Sequence, residues 1–191
     1  MFGGLLSVME ELRVEKVIIS KQGENSENYE RFKSIVRSRK IKVIVAQKGD
    51  KLKVEEELYY DFLWPDSEKL IGENTLNNNS LVCKLNYKKL SMLFTGDIEK
   101  IAEEQILKDY KNDNYILKST ILKVGHHGSK TSSIQGMLEK IKPQIALIGV
   151  GKDNKFGHPN KEVVSLLNKY KIKIHRTDIE GTIVYKQLFC I

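Results

Sequence analysis

A short apolar run ending in a polar cluster recurs through the second half of this chain. Leu90-Ser91-Met92-Leu93-Phe94 runs into Thr95-Gly96-Asp97, and Ile121-Leu122-Lys123-Val124 into Gly125-His126-His127-Gly128-Ser129. Ala146-Leu147-Ile148-Gly149-Val150 leads into Gly151 to Pro159, and Ile172 to Ile174 into His175-Arg176-Thr177-Asp178. Such runs suit buried strands better than helices. Between them lie helical periods: Ile98, Ile101, Ala102, Ile106; then Ile134, Met137, Leu138, Ile141; then Val163, Val164, Leu166, Leu167. Interleaving of this kind folds as α/β or α+β layers, and polar clusters gathered at one sheet end form the usual rim of an active site.

The first half reads the same way. Leu5, Val8, Met9 and Leu12 share a helical face, and Val14 to Ser20 follows as a strand. Asn25 or Ser26 can cap a helix carrying Tyr29, Phe32, Ile35 and Val36 inward. Ile41 to Val45 is a strand, Lys51 to Trp64 one or two more, and Asp66 to Asn79 a polar loop. Ser80 to Leu85 and Leu90 to Phe94 form a hairpin around Asn86-Tyr87-Lys88-Lys89. Ser132 or Ser133 caps the helix that stops before Pro143, Asn160 caps the next, and Thr182 to Tyr185 is the last strand.

With 191 residues the chain suits one domain, 1–191, with a sizeable core. Its apolar stretches fall far short of the ~20 residues of a membrane span. Met1-Phe2-Gly3-Gly4 has no secretory character, so a cytoplasmic place is expected for the chain as given. A net charge of +7 reads either as a solvated lysine-rich surface or as attraction to phosphate backbones. Basic residues are densest from Arg31 to Lys42. Cys83 and Cys190 are expected to be buried thiols.

Asp97 can bind metal, orient water, or cap the helix that follows, and these readings are compatible. Adjacent histidines point in different directions, so one of His126 and His127 would face a site and the other support it. Ser129 can hold a ring or a phosphate oxygen. Asn154 and His158 can hydrogen-bond a substrate, and Lys152 or Lys155 can meet a phosphate.

Taken in order, these motifs resemble the metallo-β-lactamase-fold hydrolases, most closely the C-terminal hydrolase domain of ComEC-type DNA-internalisation competence proteins. The resemblance rests on Asn77-Asn78-Asn79-Ser80-Leu81-Val82, Leu93-Phe94-Thr95-Gly96-Asp97, and Leu122 to Ser129. It continues through Asn154-Lys155-Phe156-Gly157-His158-Pro159, Arg176-Thr177-Asp178 and Gly181-Thr182-Ile183. It implies a four-layer αββα sandwich with one or two zinc or manganese ions where loops meet. It also implies hydrolysis of DNA or another phosphodiester by metal-activated water.

By the same resemblance, Asp97 matches the bridging aspartate and His126 or His127 a late histidine ligand. Asn77 to Ser80 stand where many relatives place another histidine, and Asn77, Asn79 and Ser80 are expected to bind substrate there. The family's His-x-His-x-Asp-His loop precedes a Gly-Gly-Leu, and here only Met1 and Phe2 stand before Gly3-Gly4-Leu5. An incomplete domain is therefore expected, without the first strands and that loop. It should hold metal weakly, be inactive alone, and self-associate through an exposed sheet edge. The rivals are a non-catalytic basic module for nucleic acid or protein, and a hydrolase of small phosphate or phosphocholine esters.

Overall fold

Backbone pairing divides the strands into two sheets in the computed structural model, which describes residues 3–186. The smaller sheet is a parallel pair, β1 (Lys16–Ile19) and β2 (Lys42–Val45). It packs with α1 (Gly3–Glu11) and α2 (Glu27–Ser38). Of the two caps the sequence offers for α2, Ser26 is used: its Oγ accepts from the Tyr29 N–H. Phe32 and Ile35 of α2 meet Leu6 and Met9 of α1, with Val17 and Ile41, in one cluster. The apolar face expected of α1 is rotated, since Leu6 and Met9 point inward while Leu5, Val8 and Leu12 are exposed. A two-stranded sheet offers only a narrow surface, so one stripe of the helix can be covered.

The larger sheet has seven strands in the order β3 (Lys51–Lys53), β4 (Leu58–Trp64), β5 (Val82–Tyr87), β6 (Leu90–Phe94), β7 (Ile121–Lys123), β8 (Ile145–Ile148) and β9 (Lys173–Arg176). Pairing is antiparallel from β3 to β6 and parallel from β6 to β9. The parallel half follows from its connections: α4 (Lys100–Asp109), α5 (Gln135–Ile141) and α6 (Lys161–Lys169) each carry the chain back to the start of the next strand. Their apolar stripes share a core with Leu93, Leu122, Ala146 and Ile148. Each buried leucine, isoleucine, valine or methionine there contributes about 1.5–3 kcal/mol by leaving water. The outcome is a polar rim, because β6, β7, β8 and β9 all end at the same edge.

Lys51 to Trp64 makes two strands, as the sequence allowed. Several other local expectations are corrected. The loop before Ser80 contains a short helix, α3 (Thr75–Asn78). The hairpin turn is tighter than expected, reduced to Lys88 and Lys89, with Lys88 at φ 53°. Neither Ser132 nor Ser133 caps α5. The Glu103 carboxylate of α4 does so from a distance, accepting from the N–H groups of Ser133 (2.7 Å) and Ile134 (2.8 Å). Thr182 to Tyr185 forms no strand. Residues Thr177–Glu180 turn as a short helix, α7, and the segment after Gly181 joins no ladder among the described residues. Cys83 is a half-buried free thiol that burial pushes up to about 11, and Cys190 lies outside the described residues. No helix among the described residues is long and apolar enough to cross a membrane.

Candidate functional site

The loops after β6 and β7 are bonded to each other. The His126 N–H donates to Gly96 O at 3.0 Å, and Thr95 Oγ1 donates to Lys123 O at 3.0 Å. Gly96 sits at φ +56°, and a Cβ there would stand 2.6 Å from the Ser80 Cβ, so only glycine fits. That closeness lets the Asn77–Ser80 segment support the Asp97 turn. Ser80 Oγ accepts from the Asp97 N–H at 3.3 Å, and Asn78 Oδ1 accepts from the Glu99 N–H at 3.0 Å.

Asp97 is not the cap of the following helix. Glu99 takes that place, its carbonyl accepting from the N–H groups of Ala102 and Glu103, because the helix starts two residues later than the apolar period suggests. The Asp97 carboxylate is thereby left to the rim, where its Oδ1 lies 3.6 Å from His127 Nε2.

His126 and His127 occupy a tight 3-10 turn, Gly125–Gly128, both in the left-handed region at φ 46° and 54°. Side chains rarely adopt this backbone, which costs on the order of 1–3 kcal/mol per residue, so the surroundings must enforce it. Gly128, at φ +79°, lies so close to Pro159 that a Cβ would approach its Cβ to 2.7 Å. The Asn160 N–H donates to Gly128 O at 2.8 Å. The turn sends the two rings apart. His127 Nδ1 meets Gly149 O at 2.6 Å, while His126 Nδ1 is buried 3.5 Å from Glu99 Oε1 with no hydrogen bond. The ring of His126 lies edge-on to that of His158, centroids 5.8 Å apart, and His158 stacks on Phe156 at 5.9 Å. Burial holds the His158 imidazole below its ordinary range, and His126 and His127 push the same way against Asp97.

A carbonyl can only accept, so His127 Nδ1 carries a proton, and in its neutral form the ring presents a lone pair at Nε2. That lone pair faces a carboxylate oxygen at 3.6 Å, so two acceptors flank one gap. Two ligands of a tetrahedral zinc ion stand about 3.4 Å apart, so the spacing suits a shared cation. The number of donors does not. Among the described residues no group of three or more His, Cys, Asp or Glu side chains is arranged to hold a metal ion, whereas catalytic zinc takes three protein ligands. This chain's described residues do not by themselves fit the ion.

The other expected site residues divide between rim and scaffold. His158 stands on the rim beside His126. Asn79 is enclosed, its amide spent on Ile71 and Thr75, and Asn77 is half-buried in α3. Ser129 is buried and paired with Thr131 Oγ1 at 3.0 Å; Thr131 in turn donates to Glu99 Oε1 at 3.0 Å. Asn154 folds its own loop, donating to Gly151 O and His158 O and accepting from the His158 N–H. Lys152 and Lys155 stay exposed. His175 pairs with Glu180 at 2.7 Å.

Glu99 and Lys123, not singled out in the sequence, belong to this constellation, as does Asn78 of the Asn77–Ser80 run. Glu99 links the loops through Thr131 and His126. Asn78 holds the Glu99 turn. Lys123 donates to Val124 O at 3.0 Å, and burial pushes its ammonium below the ordinary range while Asp97 opposes that shift. The signal for Lys123 was a lysine within an otherwise apolar strand. Gly149 makes room for it, since a Cβ there would meet the Lys123 Cε at 3.3 Å.

Comparison with known proteins finds several similar sequences. The chain is 31% identical over 174 residues to ComE operon protein 3 of Bacillus subtilis, which covers 91% of this chain and 21% of that protein. Competence protein ComA of Neisseria gonorrhoeae is 32% identical over 126 residues, 66% of this chain and 17% of the relative. Recombination protein 2 of Haemophilus influenzae is 33% identical over 107 residues, 56% and 13% of the two chains. The chain thus spans about a fifth or less of the length of these relatives. No protein-family model matches it. Among solved structures, a protein described as a metal-dependent hydrolase from Parabacteroides distasonis superposes with a TM-score of 0.52 at 11% identity, covering 89% of this chain and 79% of that one. A variant of the CmlA beta-hydroxylase gives 0.55 at 10% identity, covering 92% and 40%. These two share the fold, a mixed α/β arrangement with a large mixed sheet.

Proposed function

The chain is a ComEC-like domain of the metallo-β-lactamase fold, and on that premise we propose that it acts on DNA in competence-type uptake, as part of a metal-dependent phosphodiester hydrolase. Asp97 and His127 are the donors it contributes, and the remaining donors come from beyond the described residues. The carrying observation is the pair of facing acceptors, Asp97 Oδ1 and His127 Nε2, with the His127 ring locked by Gly149. Two donors alone leave a zinc or manganese ion mostly to water, which is a weak site. In a completed site Asp97 and His127 would be two of the ligands of such an ion, which would supply an activated water and neutralise charge on the phosphate.

The rest of the constellation has positioning work. Gly149 O fixes the His127 tautomer, Ser80 and Asn78 hold the Asp97 turn, and Lys123 sets a positive charge beside the Asp97 carboxylate. His126 and His158 form the rim that would border the substrate, with Asn154 shaping the His158 loop. The lack of a third donor among the described residues, together with the net charge of +7, favours one alternative, a basic binding module without catalysis.

The test is hydrolysis of bis-p-nitrophenyl phosphate and of DNA with zinc or manganese added. Two proteins are compared: this chain, and the chain extended before Gly3 by a segment carrying His-x-His-x-Asp-His. The proposal expects turnover only from the extended protein, abolished by Asp97→Asn or His127→Ala. A folded extended protein that binds DNA but cleaves neither substrate supports the binding module instead. Cleavage of phosphocholine esters but not of DNA would move the substrate class.

A further inference from the structure

A second polar surface lies at the other end of the parallel strands from His126 and His127. There an open groove of about 380 Å³ runs past the starts of β7 and β8. Lys84, Lys89, Lys118 and Lys142 line it, with Tyr115 and Gln144. No Asp or Glu is among the described residues that line it. Lys89, Lys118 and Lys142 are exposed and make no ion pair among the described residues.

Lys84 is fixed in place by donating to the carbonyls of Tyr115 and Ile116, both at 3.2 Å. Burial pushes its ammonium below the ordinary range, with Asp61 and Asp113 opposing. Asp113 is not among the residues that line the groove. Its Oδ1 accepts from the N–H groups of Tyr115 and Ile116, both at 2.8 Å, and so forms the turn that presents Tyr115. Tyr115 is 76% exposed, so its ring is open to solvent beside the groove.

We propose that this groove binds single-stranded nucleic acid, the lysines meeting successive phosphates and Tyr115 stacking on an unpaired base. Lysines along a groove with an open aromatic face are the two components of single-strand recognition. A duplex keeps its bases stacked inside and has no use for the ring. An anionic membrane would prefer a flat or convex patch with apolar residues to insert, and this surface is concave. The proposal deepens the reading of the chain as a DNA-acting domain and rests on it for the choice of nucleic acid, but the groove's binding stands apart from hydrolysis at Asp97 and His127.

The test is fluorescence anisotropy of a labelled oligothymidylate and of a duplex of equal length, measured with the full chain over a series of salt concentrations. The single strand should bind more tightly. Its affinity should fall with salt at a log–log slope of about −2 to −3, as three or four phosphate contacts at about −0.7 each require. Combined Lys89→Glu, Lys118→Glu and Lys142→Glu substitutions should weaken binding at least about ten-fold and flatten that slope. Tyr115→Ala should cost about ten-fold on the single strand and little on the duplex, and Tyr115→Phe should restore it. In the extended protein, the lysine variant and Tyr115→Ala should leave turnover of bis-p-nitrophenyl phosphate unchanged, so loss of binding at the groove and loss of hydrolysis separate. The proposal is overturned if the lysine variant folds and binds as before, if Tyr115→Ala has no effect, if the duplex binds more tightly, or if the lysines serve only phosphatidylserine vesicles.

Discussion

Gly128 shows how much of the site depends on single positions. Its φ of +79° and the 2.7 Å approach that a Cβ would make to Pro159 tie the histidine turn to the loop carrying His158. Gly128→Ala should therefore cost more than about 1 kcal/mol in urea unfolding, because the substitution meets both strain and overlap. An unchanged midpoint would mean that the turn relaxes freely. That Asp97 and the double histidine open on one sheet edge was legible in the sequence, since both follow apolar strands, but which histidine lies beside Asp97 was not. Ser129 and Asn79 were not legible as scaffold. Their fates depend on Thr131, Ile71 and Thr75, and nothing in a hydroxyl or an amide says which partner it will find.

Among the elements, α4 and α5 are joined by a buried carboxyl. Burial pushes Glu103 up to about 7 from an ordinary 4.5, outweighing the N–H groups of Ile134 and Ser133, which pull the other way. The folded protein then holds a proton that the unfolded chain has released between those two values. Stability from this group is greatest below about 4.5 and falls as pH rises to about 7. The full difference corresponds to about 3 kcal/mol. Glu103→Gln should remove that slope from urea unfolding measured across this range, and an identical slope in the variant would assign it to other groups. Glu103→Ala should cost about 1–3 kcal/mol per orphaned N–H instead. The sequence placed both helices by their periodicity but assigned the cap of α5 to a neighbouring serine. Local patterns cannot register a cap that arrives from thirty residues away.

At the scale of the whole molecule, the strand–helix alternation was enough to give the parallel half of the large sheet and its rim. The small sheet was harder to read, because its two strands pair only with each other among the described residues. Val43 and Val45 of β2 and Leu5, Val8 and Leu12 of α1 are exposed there. Apolar side chains beside an unpaired strand edge favour association. Light scattering should show a mass that rises with concentration, and Val45→Lys should hold the chain monomeric. A mass that stays constant over the same range would show that this edge is inert.

The central claim is that Asp97 and His127 are two donors of a site that needs more. Metal content after exhaustive dialysis tests it most directly, measured on this chain, on the chain extended by the His-x-His-x-Asp-His segment, and on Asp97→Asn of the extended chain. The expected result is substoichiometric zinc or manganese in the first, a full equivalent in the second, and loss of that metal in the third. A full equivalent that stays with the unextended chain, and that Asp97→Asn does not displace, would contradict the account.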